Sequence, residues 1–273
     1  MNLLQLTTLA CAVASLALGG GIAHANLVVI ADYHLGEADL GASPGQVSNG
    51  TVDSSGNGFN LTTVIGDPTY ESGGAFAGST LSMSFDGSSY LAGPIVTNDT
   101  ENFGITLYAK TSDPDQALGA LAINGTGCCS GFGLFVQDGE YYGLYGGLDI
   151  FDIGPVSDDA WDEIGLFNVN GDTQILYNGA YTELGLVGDP YAANDPCGDG
   201  CIPSTPIAMT IGSDGENDFI GDIDEVQVYA APEPGTIALF ASALAGFAAL
   251  RRRETATQGS RCRARGRRNE AAA

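Results

Sequence analysis

The chain has 273 residues, 40 of them glycine, and 33 Asp and Glu against nine Lys and Arg give a net charge of −24. Only 15% of residues are charged and 44% are hydrophobic, enough to fill a core, so wholesale disorder is excluded. Eight of the nine bases are arginines at position 251 or later, and residues 26–230 carry 30 acids against the single Lys110. A domain so negative repels phosphates, which excludes nucleic acid and anionic substrates held by arginine. Cationic partners, neutral sugars and divalent metals stay open.

Residues 1–25 are expected to be a secretory signal peptide. Leu3 to Leu18 is an apolar run without Lys or Arg, followed by Gly19-Gly20-Gly21 and Ala23-His24-Ala25. Small side chains at the first and third positions before the cut fit a signal peptidase, which places cleavage before Asn26.

From 26 to 230 the sequence alternates in short runs between clusters of Gly, Asp, Asn and Ser. Predicted strands in chain order are Val28–Tyr33, Leu81–Phe85, the face Phe103, Ile105, Leu107 and Ala109, Gly131–Gln137, Tyr141–Leu144, Trp161–Asn168, Thr173–Tyr177, Ile207–Ile211 and Phe219–Tyr229. Period 2 with frequent turn clusters predicts an all-β fold, an antiparallel sandwich with one face of each sheet buried. Asp86-Gly87, Asp138-Gly139, Asn170-Gly171 and Asn178-Gly179 are expected to supply the positive φ angles of tight hairpins. No repeat or linker divides the region, so one domain is expected.

The order of landmarks is informative. Asp53-Ser54-Ser55-Gly56-Asn57-Gly58 is followed by Ser84-Phe85-Asp86-Gly87, then Leu176-Tyr177-Asn178-Gly179, then Gly221-Asp222-Ile223-Asp224-Glu225-Val226-Gln227-Val228-Tyr229. This series resembles the laminin-G-like family, a concanavalin A-like jelly roll, over nearly all of residues 27–230. The resemblance implies two packed antiparallel sheets, often a bound Ca²⁺, and carbohydrate or protein ligands.

Four cysteines remain once both the signal peptide and the C-terminal sorting segment are removed: Cys128, Cys129, Cys197 and Cys201. An even number in an exported chain points to disulfides rather than zinc, and the sequence does not fix their connectivity. The two long-range pairings would close roughly 70 residues and contribute about 4 kcal/mol. Asp214, Glu216 and Asp218 alternate in the loop before the last strand, where carboxylates on a curve can converge on one Ca²⁺; Asp195 and Asp199 are further candidates. Asp222-Ile223-Asp224-Glu225 superficially resembles the paired-carboxylate strand of laminarinase-type glycosidases. Strict alternation puts Val226 on the Asp224 face and Gln227 on the Glu225 face, so the pair is incomplete and no enzyme is expected. Trp161 is expected in the core, and Tyr141, Tyr142 and Tyr145 as a ligand-facing strip with at least one exposed ring.

The C-terminal side carries Pro232-Glu233-Pro234, an apolar run Thr236 to Leu250, and Arg251-Arg252-Arg253. This segment closely resembles the PEP-CTERM sorting signal of Gram-negative bacteria. The resemblance implies processing by exosortase, a short transmembrane helix over 231–253 that anchors the chain transiently in the inner membrane, and display at the cell surface or in the extracellular matrix. Residues 254–273 form a basic, low-complexity tail whose composition makes no core and is expected to be disordered. The expected function is non-catalytic binding of exopolysaccharide or surface proteins through loop rims. A secreted glycoside hydrolase and a purely structural adhesin are the alternatives.

Overall fold

Three dipeptides close the tight hairpins. Asp138 and Gly139 have φ of 48° and 85°, Asn170 and Gly171 55° and 87°, and Asn178 and Gly179 47° and 80°. Two successive positive φ values twist the chain as the flanking strands twist, so each pair joins antiparallel neighbours in two residues. Asp86-Gly87 departs from the sequence expectation. Gly87 alone has positive φ, at 81°, and the Asp86 carboxylate accepts the Ser88 N–H at 3.0 Å. The chain there crosses between sheets instead of turning back within one.

A computed structural model describes residues 27–98, 102–126, 130–145, 149–186 and 208–231. These form β1 (Val28–Tyr33), β2 (Thr63–Ile65), β3 (Thr69–Ser72), β4 (Leu81–Asp86), β5 (Tyr90–Pro94), β6 (Asn102–Thr111), β7 (Gly119–Thr126) and β8 (Ser130–Gln137). They continue with β9 (Glu140–Tyr145), β10 (Asp149–Pro155), β11 (Asp162–Val169), β12 (Asp172–Tyr177), β13 (Ala180–Leu186), β14 (Ala208–Ile211) and β15 (Ile220–Ala230). All pairings are antiparallel. One sheet runs β13-β12-β11-β6-β15-β4-β3 with β1 also on β15, and the other runs β10-β9-β8-β7-β14-β5-β2. The described residues contain no α-helix; the signal and sorting segments lie outside them.

The core lies between the sheets. On β6 the predicted face Phe103, Ile105, Leu107 and Ala109 is fully buried. It meets Phe132, Leu134 and Tyr145 of the other sheet, with the Phe103 and Phe132 rings stacked at 4.3 Å and Tyr145 edge-on to Phe103 at 5.2 Å. Each such buried ring contributes about 2–3 kcal/mol of transfer free energy. Trp161, expected in this core, instead precedes β11 and is partly exposed, because the core-facing residues of that strand begin further on, with Ile164 and Leu166.

The central strand β15 has two partners along one edge. Ile220 to Ile223 pair with β4, and Val226 to Ala230 pair with β1. Between them the ladder with β6 shifts register, from Asp224 opposite Tyr108 to Gln227 opposite Thr106. Glu225 takes φ of 50°, the signature of a bulge in which two residues oppose one. The core-facing residues are accordingly Ile223, Val226 and Val228, a spacing of three and then two. The strict alternation expected from sequence therefore fails at Asp224-Glu225.

Candidate functional site

The outward face of the eight-stranded sheet can be built row by row from the register. Tyr181 lies beside Leu176, Leu176 beside Gly165, Gly165 beside Thr106, Thr106 beside Gln227, and Gln227 beside Asp32. The next row brings Phe167 beside Gly104 and Gly104 beside Tyr229. Glycine is required at position 104, where a Cβ would come within 2.3 Å of Phe167 Cδ1. Its absence lets the Phe167 ring lie across the strand. Phe167 then packs against Tyr229 at 5.5 Å and Tyr181 at 5.9 Å, while Phe76 packs against Tyr108 at 6.0 Å.

Between these two aromatic groups is an open cavity of about 220 Å³ lined by Phe76, Thr106, Tyr108, Glu163, Leu176, Tyr181, Glu225, Gln227 and Tyr229. Tyr181 is 64% exposed and Phe76 48%, so large apolar rings face water. Its floor is a chain of polar bonds. The Tyr229 hydroxyl donates to Gln227 Oε1 at 2.6 Å, and Gln227 Nε2 donates to Asp32 Oδ1 at 3.0 Å. Burial, with the Glu163, Glu225 and Asp224 carboxylates nearby, pushes the Tyr108 hydroxyl up to about 12. It is a neutral donor at any ordinary pH.

At one end of the cavity the bulge gathers carboxylates. Asp224 is fully buried and its Oδ2 accepts the Ala75 N–H at 2.8 Å and the Ser79 hydroxyl at 2.7 Å. Its Oδ1 is buried and accepts no hydrogen bond. Burial raises this carboxyl to about 6 against the opposing pull of those donors, with Glu225 and Glu37 adding to the rise. His34 Nδ1 is 2.7 Å from Glu225 Oε2, and its Nε2 is 3.6 Å from Asp32 Oδ2. Burial lowers the imidazole value, but the bond to Glu225 and the charges of Glu225, Asp32 and Glu37 outweigh it and leave His34 raised. Burial likewise raises Glu37, and its bonds from Leu81, Thr80 and Ser79 more than reverse that, so it stays ionised. Oxygen atoms of Glu37, Asp224 and Glu225 all lie within 4.8 Å of one another, as do ligand atoms of Asp32, His34 and Glu225.

The residues singled out from sequence fall elsewhere. Asp214 is turned into its own loop: Oδ1 accepts the Glu216 and Asn217 N–H groups at 2.9 and 2.7 Å, and Oδ2 accepts the Asn217 amide at 2.8 Å. Asp214, Glu216 and Asp218 do not form a group whose ligand atoms all come within 4.8 Å of one another. Tyr141 and Tyr145 are fully buried, whereas Tyr142 points to the opposite face and packs on Ala120, Ile123 and Phe135. The three tyrosines therefore make no common strip. Ala23, Ala25, Asn26, Cys128, Cys129, Asp195, Cys197, Asp199, Cys201, Pro232, Glu233, Pro234 and Arg251 to Arg253 lie outside the described residues. Tyr108, Tyr181, Tyr229 and Phe76 received no role from sequence. The available signal was on β6, where Gly104, Thr106 and Tyr108 alternate outward on a central strand, a placement that does not call for a tyrosine.

Residues 230–253 match the PEP-CTERM protein-sorting motif, which implies export and processing by exosortase. No curated protein matches the chain significantly. Among solved structures, Domain 4 of AbnA, a GH43 extracellular arabinanase from Geobacillus stearothermophilus in complex with arabinotriose, is similar over 75% of this chain and 93% of that chain, with 16% identity and a TM-score of 0.54. The binding domain of botulinum neurotoxin serotype D aligns with 74% of this chain and 47% of its own, at 14% identity and a TM-score of 0.47, too loose a likeness to define a shared site. What the AbnA domain shares with this chain is the fold. The protein is an exported, membrane-transiting chain that carries a PEP-CTERM sorting motif at residues 230–253, following an antiparallel β-sandwich.

Proposed function

We propose that this is a non-catalytic surface protein that binds a neutral saccharide in the groove on the eight-stranded sheet. One observation carries the reading: exposed aromatic rings flank a floor of hydroxyl, amide and carboxylate groups that contains no Lys or Arg. Sugar rings present apolar C–H faces to aromatic platforms and hydroxyls to polar side chains, so this mixture suits them. Glu163 and Glu225 in the lining repel uronate, sulfate and phosphate groups. A cavity below the ~300 Å³ of a drug-sized pocket suits one or two sugar rings of a longer chain. An exported protein with such a groove is placed to hold exopolysaccharide at the cell surface.

The test is binding of the full-length chain to a panel of neutral oligosaccharides, arabinotriose among them, and of uronate-containing ones. Binding restricted to neutral glycans, weakened at least about tenfold in Tyr181→Ala, is expected. A blank panel favours a purely structural adhesin. Release of reducing ends that disappears in Glu225→Gln makes the protein a glycoside hydrolase instead. Cleavage before Asn26, exosortase cleavage near Pro232-Glu233-Pro234, and oxidation of Cys128, Cys129, Cys197 and Cys201 to disulfides belong to the same reading. Intact-mass measurement of the exported form checks them together.

A further inference from the structure

We propose that Glu37, Asp224 and Glu225 hold a divalent cation, Ca²⁺ by the hardness of their oxygens, at the bulge of β15. This does not rest on the saccharide reading. Oxygens on a Ca²⁺ shell of about 2.3–2.6 Å lie at most about 5 Å apart, and the three carboxylates meet that condition with oxygens within 4.8 Å.

A second observation points the same way. Asp224 is fully buried, and its Oδ1 has no hydrogen-bond partner, a position a carboxylate oxygen rarely occupies in a folded interior. The neighbouring donors do not cover the need. Ser79 Oγ lies 2.7 Å from Asp224 Oδ2, 3.0 Å from Glu37 Oε1 and 3.0 Å from the Leu81 carbonyl, and three oxygens compete for its single proton. His34 engages Glu225 through Oε2. Lys110, the single base of residues 26–230, is paired at 3.3 Å with Asp159. The carboxylates are therefore concentrated where the domain has no Lys or Arg to balance them, and the imidazole of His34 reaches only Glu225 of the three.

The fold explains how such a site is built. On one edge β15 leaves β4 after Ile223 and joins β1 at Val226, so Asp224 and Glu225 stand in the gap between two partner strands. Segments 34–37 and 75–80 fill that gap, bringing Glu37 and the donors Ala75 and Ser79. The shared hydroxyl of Ser79 fixes two of the three carboxylates relative to each other before any ion arrives. Glu225 also lines the saccharide groove.

The experiment is a Tb³⁺ titration of the full-length chain, read as emission sensitised by Tyr108, which sits opposite Asp224 in the ladder. It is followed by Ca²⁺ competition and a thermal melt with and without Ca²⁺. Saturable emission displaced by Ca²⁺ is expected, with a midpoint rise of about 5–10 °C at a hundredfold excess of Ca²⁺ over its dissociation constant. Asp224→Asn and Glu37→Gln should each weaken Tb³⁺ at least about tenfold. Glu37 is exposed, so its variant keeps the test valid if the Asp224 variant misfolds. Asp214→Asn should leave the titration unchanged. Absence of emission and of any Ca²⁺ shift in the native chain overturns the proposal, as does emission that survives Glu37→Gln or is lost in Asp214→Asn.

Discussion

The two sheets share one core but turn opposite kinds of surface outward. The outer face of the seven-stranded sheet closes on itself: Ala120, Ile123 and Phe135 are buried there and Tyr142 and Leu144 pack over them. The outer face of the eight-stranded sheet stays open, with aromatic rings parted by Gly104 and Gly165 and a cavity of about 220 Å³. The first face gains its free energy by removing apolar area from water. The second leaves rings in water and one buried carboxylate oxygen, Asp224 Oδ1, without a hydrogen bond, an arrangement that costs stability and that a ligand compensates.

This contrast can be broken by substitution. Phe135→Ala on the closed face should destabilise the protein by about 3–5 kcal/mol in denaturant unfolding, with glycan affinity unchanged in whatever fraction stays folded. Loss of binding at unchanged stability would reverse the roles assigned to the two faces. Tyr181→Ala on the open face should do the opposite, lowering affinity about tenfold or more with a midpoint within ~0.5 kcal/mol of the native chain.

A third variant tests the frame beneath the open face. Asp53 accepts the Asp32 and Ser55 N–H groups through Oδ1 at 3.0 and 2.9 Å, and the Phe59 N–H through Oδ2 at 3.0 Å. Burial raises its carboxyl, but the bonds from Ser55, Phe59 and Asp32 outweigh it and leave the value lowered. A lowered folded value means the stabilisation is present above the unfolded Asp value near ~4 and is lost as pH falls through the folded one. Asp53→Asn should therefore cost about 2 kcal/mol at neutral pH and flatten the acid limb of the stability profile. An unchanged acid limb would rule out this role. The smallest effect should be at a turn. Asn170 has φ of 55°, and Asn170→Ala should cost about 1 kcal/mol, or 2–4 °C in a thermal melt.

Strands with strict alternation, such as β4 and β6, and the three positive-φ hairpins were legible in the sequence because their signals are local. Short or edge strands such as β2, β3 and β13 were not. Thr63–Ile65 is three residues long, and Ala180–Leu186 is exposed at every position from Ala180 to Leu184; neither offers a buried face to read. The groove was hidden for a different reason. Its rings come from β6, β13, β15 and the loop holding Phe76, and only the register of non-adjacent strands places them together. Loop rims, where sequence reasoning expected binding, carry the acidic residues that period and turn chemistry expose to view. The bulge was masked in turn because Asp222 to Tyr229 alternates well enough to imply an unbroken strand, while the Glu225 conformation is imposed by the change of partner from β4 to β1.

The most direct measurement is a crystal structure of the protein soaked with the tightest neutral oligosaccharide from the panel. The account predicts a sugar ring against Tyr181 and Tyr229 with hydroxyls on Gln227 and Glu163. A saccharide seated at the loop rims, or on the seven-stranded sheet beside Tyr142, would contradict it.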